Sequence, residues 1–220
     1  MKTYENQQNN ILYNQILEHA IQCNLLIQRY FPRQDIFEQI KNYIMSTSNC
    51  PCILLGESGT GKSSIMAKVV REIPIWYSAT NSLSVIIRFL GATPSSSDIR
   101  RPLISIIEQI CTIYHLDKPS NVDNVKENLE NILMHIPKDQ YLILLLDAID
   151  QLQSVDLKNL SIWLPTKFPS ANIKCIISTI SEIEIERTTI DIRQQLRTIY
   201  KNDIIEIEIN ALDENLAQQV

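Results

Sequence analysis

The chain has 220 residues, 45 % hydrophobic and 20 % charged, with a formal charge of -5, which excludes a largely disordered chain and any broad positive field for a nucleic-acid backbone. One α/β domain with a short helical leader fits this length and could bury roughly 70 to 75 % of its unfolded surface. No apolar run reaches the roughly 20 residues of a membrane span, the N-terminus MKTYENQQNN is no signal peptide, and five cysteines suit a reducing compartment, so the chain reads as cytoplasmic.

In chain order, Ile11, Leu12, Ile16, Leu17, Ala20, Ile21, Leu25 and Leu26 recur at spacings of three and four, predicting an amphipathic helix over 11–28. Tyr30-Phe31-Pro32-Arg33 breaks it. Asp35 is placed to cap a second helix carrying Ile36, Phe37, Ile40 and Ile44, which Asn49 and Pro51 stop. Cys50-Pro51-Cys52 has neither the spacing nor the second Cys/His pair of a zinc site, so Cys52 is read as the start of a buried strand. From there the texture is strand (CILL), glycine-rich turn and helix (62–72). Further strand-length apolar runs lie at 85–90, 141–146, 173–177 and 204–209, with helical patterns around 99–114 and 122–136. This alternation predicts an α/β fold, a mostly parallel sheet covered on both faces in a three-layer sandwich. The expected division is 1–48 for the helical leader and linker, 49–210 for the main domain, and 211–220 for the start of a helix that continues in a longer protein.

Gly56-Glu57-Ser58-Gly59-Thr60-Gly61-Lys62-Ser63 satisfies G-x-x-x-x-G-K-[ST] after a strand and before a helix, the context that makes this Walker A pattern informative. Three of the chain's four glycines lie in the loop. Such glycines let backbone N–H groups turn around a phosphate, and the helix N-terminus adds the positive end of its dipole. The expected ligand is ATP or ADP with Mg²⁺, held by residues 56–64. Lys62 meets the β- and γ-phosphates in a catalytic role, Ser63 ligates the metal, and Ser64 is the last residue of the binding set.

Tyr141-Leu142-Ile143-Leu144-Leu145-Leu146-Asp147 reads as a Walker B strand that delivers Asp147 to Mg²⁺ at its C-terminal end, where open α/β sheets place ligands. Asp150 is the candidate that positions or activates the attacking water; the other readings are a helix cap for Asp147 and a first-turn carboxylate for Asp150. Ile176-Ile177-Ser178-Thr179 ends another apolar strand. Ser178, or Thr179, can offer a hydroxyl to the γ-phosphate or simply satisfy the strand end.

With these motifs and their spacing, the chain resembles a STAND-class signalling ATPase, the group that includes NACHT domains. The stretch running from Val85-Ile86-Ile87-Arg88-Phe89-Leu90-Gly91 to Asp98-Ile99 is similar to the strand and loop after the P-loop helix in nephrocystin-3-like proteins and in the NACHT and WD-repeat family, and so is Ser161-Ile162-Trp163-Leu164-Pro165. The resemblance covers about 30–209. It implies a sheet of order 5-1-4-3-2, Tyr30 to Arg33 near the adenine, a switch held by ADP and released by ATP exchange, and protein partners that can include further copies of the NTPase domain. Gly91 would let the chain leave its strand sharply; Arg88 is read as a strand-edge salt bridge or as a nucleotide or subunit contact.

Two departures bear on turnover: Ala148 follows Asp147 where strongly hydrolysing ATPases carry a second acid, and Ile180 follows Ser178-Thr179 where many relatives carry an arginine. The expected function is therefore an ATP-binding switch with slow hydrolysis. The alternatives are a non-hydrolysing, nucleotide-stabilised scaffold and a small-molecule kinase. The kinase is disfavoured because Arg100-Arg101 is the only basic pair, and Arg187, Arg193 and Arg197 read as a solvated helix face.

Overall fold

The computed structural model describes residues 2–77 (side chains from residue 11), 82–91, 97–121, 123–185 and 188–211. The expected helix at 211–220, apart from Ala211, and Arg187 lie outside the described residues. In chain order the elements are α1 (Lys2–Ile27), α2 (Gln34–Met45), β1 (Cys52–Leu55), α3 (Lys62–Trp76), β2 (Ser82–Phe89), α4 (Arg100–Tyr114), α5 (Val125–Met134) and β3 (Gln140–Asp147). After a short turn come α6 (Ser154–Leu157), α7 (Leu160–Trp163), β4 (Ile173–Thr179), β5 (Glu182–Ile185), β6 (Thr188–Asp191), α8 (Ile192–Ile199) and β7 (Ile205–Glu208).

Five strands form one sheet in the order β2-β3-β4-β1-β7, and each neighbouring pair is parallel. With β7 as the fifth strand this is the predicted 5-1-4-3-2 order. Period-two alternation divides the strand side chains between two cores. Ile86, Leu142, Leu144 and Ile177 pack against α4, α5 and α8, whereas Ile87, Ile143, Leu145 and Ile176 pack against α2 and α3. Both faces are therefore apolar, which is why the strands read as continuous hydrophobic runs. β5 and β6 make a separate antiparallel hairpin. No described helix is long and apolar enough to cross a membrane.

Three sequence expectations need correction. The leader helix does not bury the whole predicted stripe: Leu12 is buried and Ile16 and Leu26 are half-buried, whereas Ile11, Leu17, Ala20, Ile21 and Leu25 are exposed, and Cys23, outside the stripe, is buried. The inward face is chosen by a polar contact described below as well as by apolar spacing. Asp35 does not cap α2; Arg33 holds the N-cap position without a side-chain bond, and Asp35 sits in the first turn, where its charge complements the helix dipole. Arg193 and Arg197 are not simply solvated. Both bind Glu206 on β7, Arg197 through Nε to Oε1 at 2.6 Å, and Arg193 also reaches Glu208 at 2.9 Å, so they tie α8 to the sheet edge.

The opposite edge, β2, is closed differently. Leu90 N–H donates to the Asp147 carbonyl, so the backbone groups of Ile87 and Phe89 face away from β3. Phe89 N–H donates to Nδ1 of His19 on α1 at 3.3 Å, and Arg88 Nη1 donates to the Ile87 carbonyl at 2.9 Å. Two outward-facing groups of an edge strand are thereby satisfied by side chains, which blocks pairing with another strand. Arg88 thus guards the strand edge, but with a carbonyl instead of the expected carboxylate partner.

Burial, and secondarily the charge of Arg88, lowers the His19 pKa to about 4. The neutral ring is the one that accepts from Phe89. Because the unfolded ring titrates near 6.5, the unfolded chain binds more protons between these values, so stability falls as pH drops from about 6.5 to about 4. His19→Gln keeps an acceptor without a titrating ring; urea midpoints measured across this window are expected to lose part of their pH slope in that variant.

Candidate functional site

The loop between β1 and α3 lies at the C-terminal end of the sheet, between the ends of β4 and β7. Gly56 N–H donates to the Thr179 carbonyl at 3.3 Å, and a Cβ at Gly56 would lie 2.4 Å from the Ile209 carbonyl oxygen, so only glycine fits there. Gly59 and Gly61 have φ of 81° and 89°, the left-handed region that turns successive N–H groups toward one side. Thr60 ties the loop to itself, N–H and Oγ1 both donating to the Glu57 carbonyl. Glu57, Ser58, Gly59 and Gly61 stay exposed, while Ser63 and Ser64 are half-buried in the first turn of α3.

Lys62 is buried, and its Nζ donates to the carbonyls of Gly56 at 2.7 Å and Glu57 at 2.9 Å. Burial lowers its pKa, while the charges of Asp150, Asp147 and Glu57 act in the opposite direction. The ammonium therefore folds back over its own loop on two neutral acceptors, which a phosphate oxygen can replace.

Asp147 ends β3 with 2 % exposure. Ser178 Oγ donates to Asp147 Oδ1 at 2.5 Å and accepts from Ala148 N–H at 2.8 Å. Burial raises the Asp147 pKa; hydrogen bonds from Ser178 and Ser63 and the charge of Lys62 oppose this, and Asp150 reinforces it. The two predicted metal ligands, Ser63 and Asp147, are thus in contact. Ser178 is joined to the Asp147 carboxylate, the position from which it orients that side chain.

Ala148 has φ of 58° and starts a 3₁₀ turn over Ile149–Gln151, which swings Asp150 back toward the loop. Asp150 is buried; Oδ2 accepts from Gln151 Nε2 at 2.8 Å, and Oδ1 has no hydrogen-bond partner. A buried carboxylate oxygen without a donor suits a water or cation shell at this point. These residues fit a magnesium nucleotide: backbone N–H groups and Lys62 for phosphate, Ser63 and Asp147 for the metal, and an acceptor on Asp150.

Gln151 was not evident from sequence. It orients Asp150 and also packs on Gly91, where φ is 71° and a Cβ would fall 2.3 Å from the Gln151 Cβ, so Gly91 is required for that approach as well as for the exit from β2. Its only sequence signal is adjacency to Asp150. In the linker between α1 and α2, Arg33 Nη1 donates to the Asn210 carbonyl at 2.9 Å and its N–H donates to Tyr30 Oη, bringing this segment beside the end of β7.

Comparison with known proteins agrees with this geometry. Over 219 residues the chain is 28 % identical to NACHT and WD repeat domain-containing protein 2 of Homo sapiens, covering 95 % of this chain and 12 % of that protein. Over 168 residues it is 30 % identical to NACHT domain- and WD repeat-containing protein 1 of Homo sapiens, covering 72 % of this chain and 11 % of that protein. The chain therefore spans about an eighth of the length of these relatives. Among solved structures, the Aeropyrum pernix ORC2 protein (ADPNP-ADP complexes) superposes with a TM-score of 0.52 at 13 % identity, over 86 % of this chain and 50 % of that one, a likeness of fold. Residues 50–220 match the model of the NACHT domain, and with the phosphate loop, Asp147 and the sheet order all in place, the chain belongs to the NACHT family of P-loop NTPases.

Proposed function

We propose that this chain binds ATP and ADP with Mg²⁺ and acts as a nucleotide-dependent switch domain that hydrolyses ATP slowly. The observation that carries the reading is the convergence of Lys62, Ser63 and Asp147 at the sheet's C-terminal end, Lys62 and Asp147 buried and fixed by hydrogen bonds and Ser63 beside the Asp147 carboxylate. Bound Mg-ATP supplies the scissile phosphoanhydride and the charge neutralisation around it. Lys62 exchanges the Gly56 and Glu57 carbonyls for phosphate oxygens. Ser63 and Asp147 hold the metal, and Ser178 keeps the Asp147 carboxylate from rotating. Asp150 accepts a hydrogen bond from the attacking water through Oδ1. No second acid adjoins Asp147, since Ala148 occupies that position, which leaves Asp150 alone for this task and favours slow turnover. The Tyr30 to Arg33 segment, anchored to Asn210, supports placing the base beside β7. Exchange between the two nucleotides would then be read by protein partners or further copies of the domain.

Equilibrium binding of fluorescent ATP and ADP with Mg²⁺, followed by phosphate release on the same samples, tests the reading. Lys62→Ala is expected to weaken binding by about tenfold to a hundredfold, the range for charge-assisted hydrogen bonds. A folded wild type that binds neither nucleotide would overturn the proposal.

Asp147→Asn separates metal from nucleotide. Burial raises the carboxylate's pKa, so its charged form is disfavoured in the fold and stability falls as pH rises through the ordinary carboxylate range toward the raised folded value. The neutral variant without ligand is expected to melt no lower than wild type at neutral pH, while the extra thermal stabilisation that Mg²⁺ gives over EDTA with nucleotide disappears. For Asp150→Asn, the expectation is nucleotide affinity within about threefold of wild type and phosphate release slowed at least tenfold, a range typical of losing a general base.

A further inference from the structure

We propose that the cavity between the leader helix α1 and the β2 edge is a binding site for a small organic monocarboxylate with an apolar body. The cavity has a volume of about 400 Å³. Its walls are largely apolar, built from Ile16, Cys23 and Ile27 of α1, Val70 of α3, and Val85 and Ile87 of β2. The polar residues that line it are His19, Asn24, Arg71, Arg88 and Gln109. The charges among the described lining residues are two arginines, with no Asp or Glu.

Arg88 supplies the second observation. Its side chain is 2 % exposed, and its three hydrogen bonds all go to neutral acceptors: the Ile87 carbonyl, Ser105 Oγ at 2.9 Å and Gln109 Oε1 at 2.8 Å. Its Nε is buried without a partner, and among the described residues no carboxylate pairs with the guanidinium. A buried cation is costly to desolvate, and neutral oxygens offset that only in part, so the field at this end of the cavity favours an incoming anion. Arg71 is exposed on α3 and adds a second positive charge. His19 accepts through Nδ1, which leaves its proton on Nε2 as a further donor. Arg88 Nε is closed off and Nη2 is engaged by Ser105 and Gln109, so Arg88 attracts a carboxylate through its charge while Arg71 and the His19 Nε2–H are the donors offered to it. An acyl or aryl body fills the apolar remainder, the usual division of a small-molecule site.

None of the cavity's lining residues belongs to the phosphate loop, although Asp147 is near enough for its charge to act on Cys23 in the wall, so the test is made on the chain without nucleotide. The 220-residue chain, with its isoleucine and valine methyl groups isotopically labelled, is titrated with octanoate, with octanamide of the same shape but no charge, and with inorganic phosphate. Octanoate is expected to shift the methyls of Ile16, Val70, Val85 and Ile87, leave that of Ile65 beside the phosphate loop in place, and bind at least tenfold more tightly than either comparator. Arg71→Ala, at an exposed position, is expected to weaken octanoate at least threefold, and Arg88→Met at least tenfold if it folds. Equal binding of octanamide, equal binding of phosphate, no shift of the four methyls at millimolar octanoate, or an unchanged affinity in Arg71→Ala would each overturn the proposal.

Discussion

A parallel strand cannot be joined to its neighbour by a tight turn; each connection must cross over a face of the sheet. In this chain all five strands of the main sheet are parallel, so helices cover both faces and the interior is closed to solvent from above and below. Chemistry is left with the strand ends, and the edges need separate protection. The phosphate loop leaves the end of β1, Asp147 the end of β3, and Ser178 the end of β4, all on the same side. Their meeting follows from register: Leu54 pairs with Ser178, and Leu146 with Ile177.

Within that frame, buried cations and anions are treated differently. Lys62, Arg88 and Lys174 are each buried on backbone carbonyls or neutral side chains: Lys174 Nζ donates to the carbonyls of Ser46, at 2.8 Å, and Ser48, beneath the end of α2, and it lies 5.2 Å from the Tyr43 ring centroid. Asp147 instead collects hydroxyl donors, and Asp150 keeps an oxygen bare. Lys174 is fully enclosed and its bonds reach one helix end, which marks it as structural. The acidic pair stands beside the glycine loop and a lysine whose two acceptors are neutral carbonyls.

Much of this was legible in the sequence for physical reasons. Strands buried on both faces are long apolar runs, and a phosphate loop imposes glycines at fixed spacing, so the parallel sheet, the loop and Asp147 could be placed, while the order of the strands came from the family resemblance. The inward face of α1 could not. That helix is apolar on two sides, and the choice between them is set by the packing of Cys23, Leu26 and Ile27 together with one hydrogen bond that His19 accepts from Phe89 N–H, 70 residues away. The hairpin of β5 and β6 was missed because Glu182 to Ile185 alternates over only four residues and no core covers its charged face. The packing of Gln151 on Gly91 and the pairing of Glu206 with Arg193 and Arg197 were hidden because contacts between residues far apart in sequence leave no local period to read.

The leader helix is synthesised before everything it docks on. Its partners on α3 and β2 follow by tens of residues, and the edge it covers is itself held only once β3 has been made. Until then the helix carries apolar side chains on both sides with nothing to set against them, and an isolated helix of this kind has little stability of its own. Its order in the folded chain is borrowed from a domain assembled behind it. The docking of α1 therefore waits until β3 has been made, and any detachment of α1 uncovers the β2 edge.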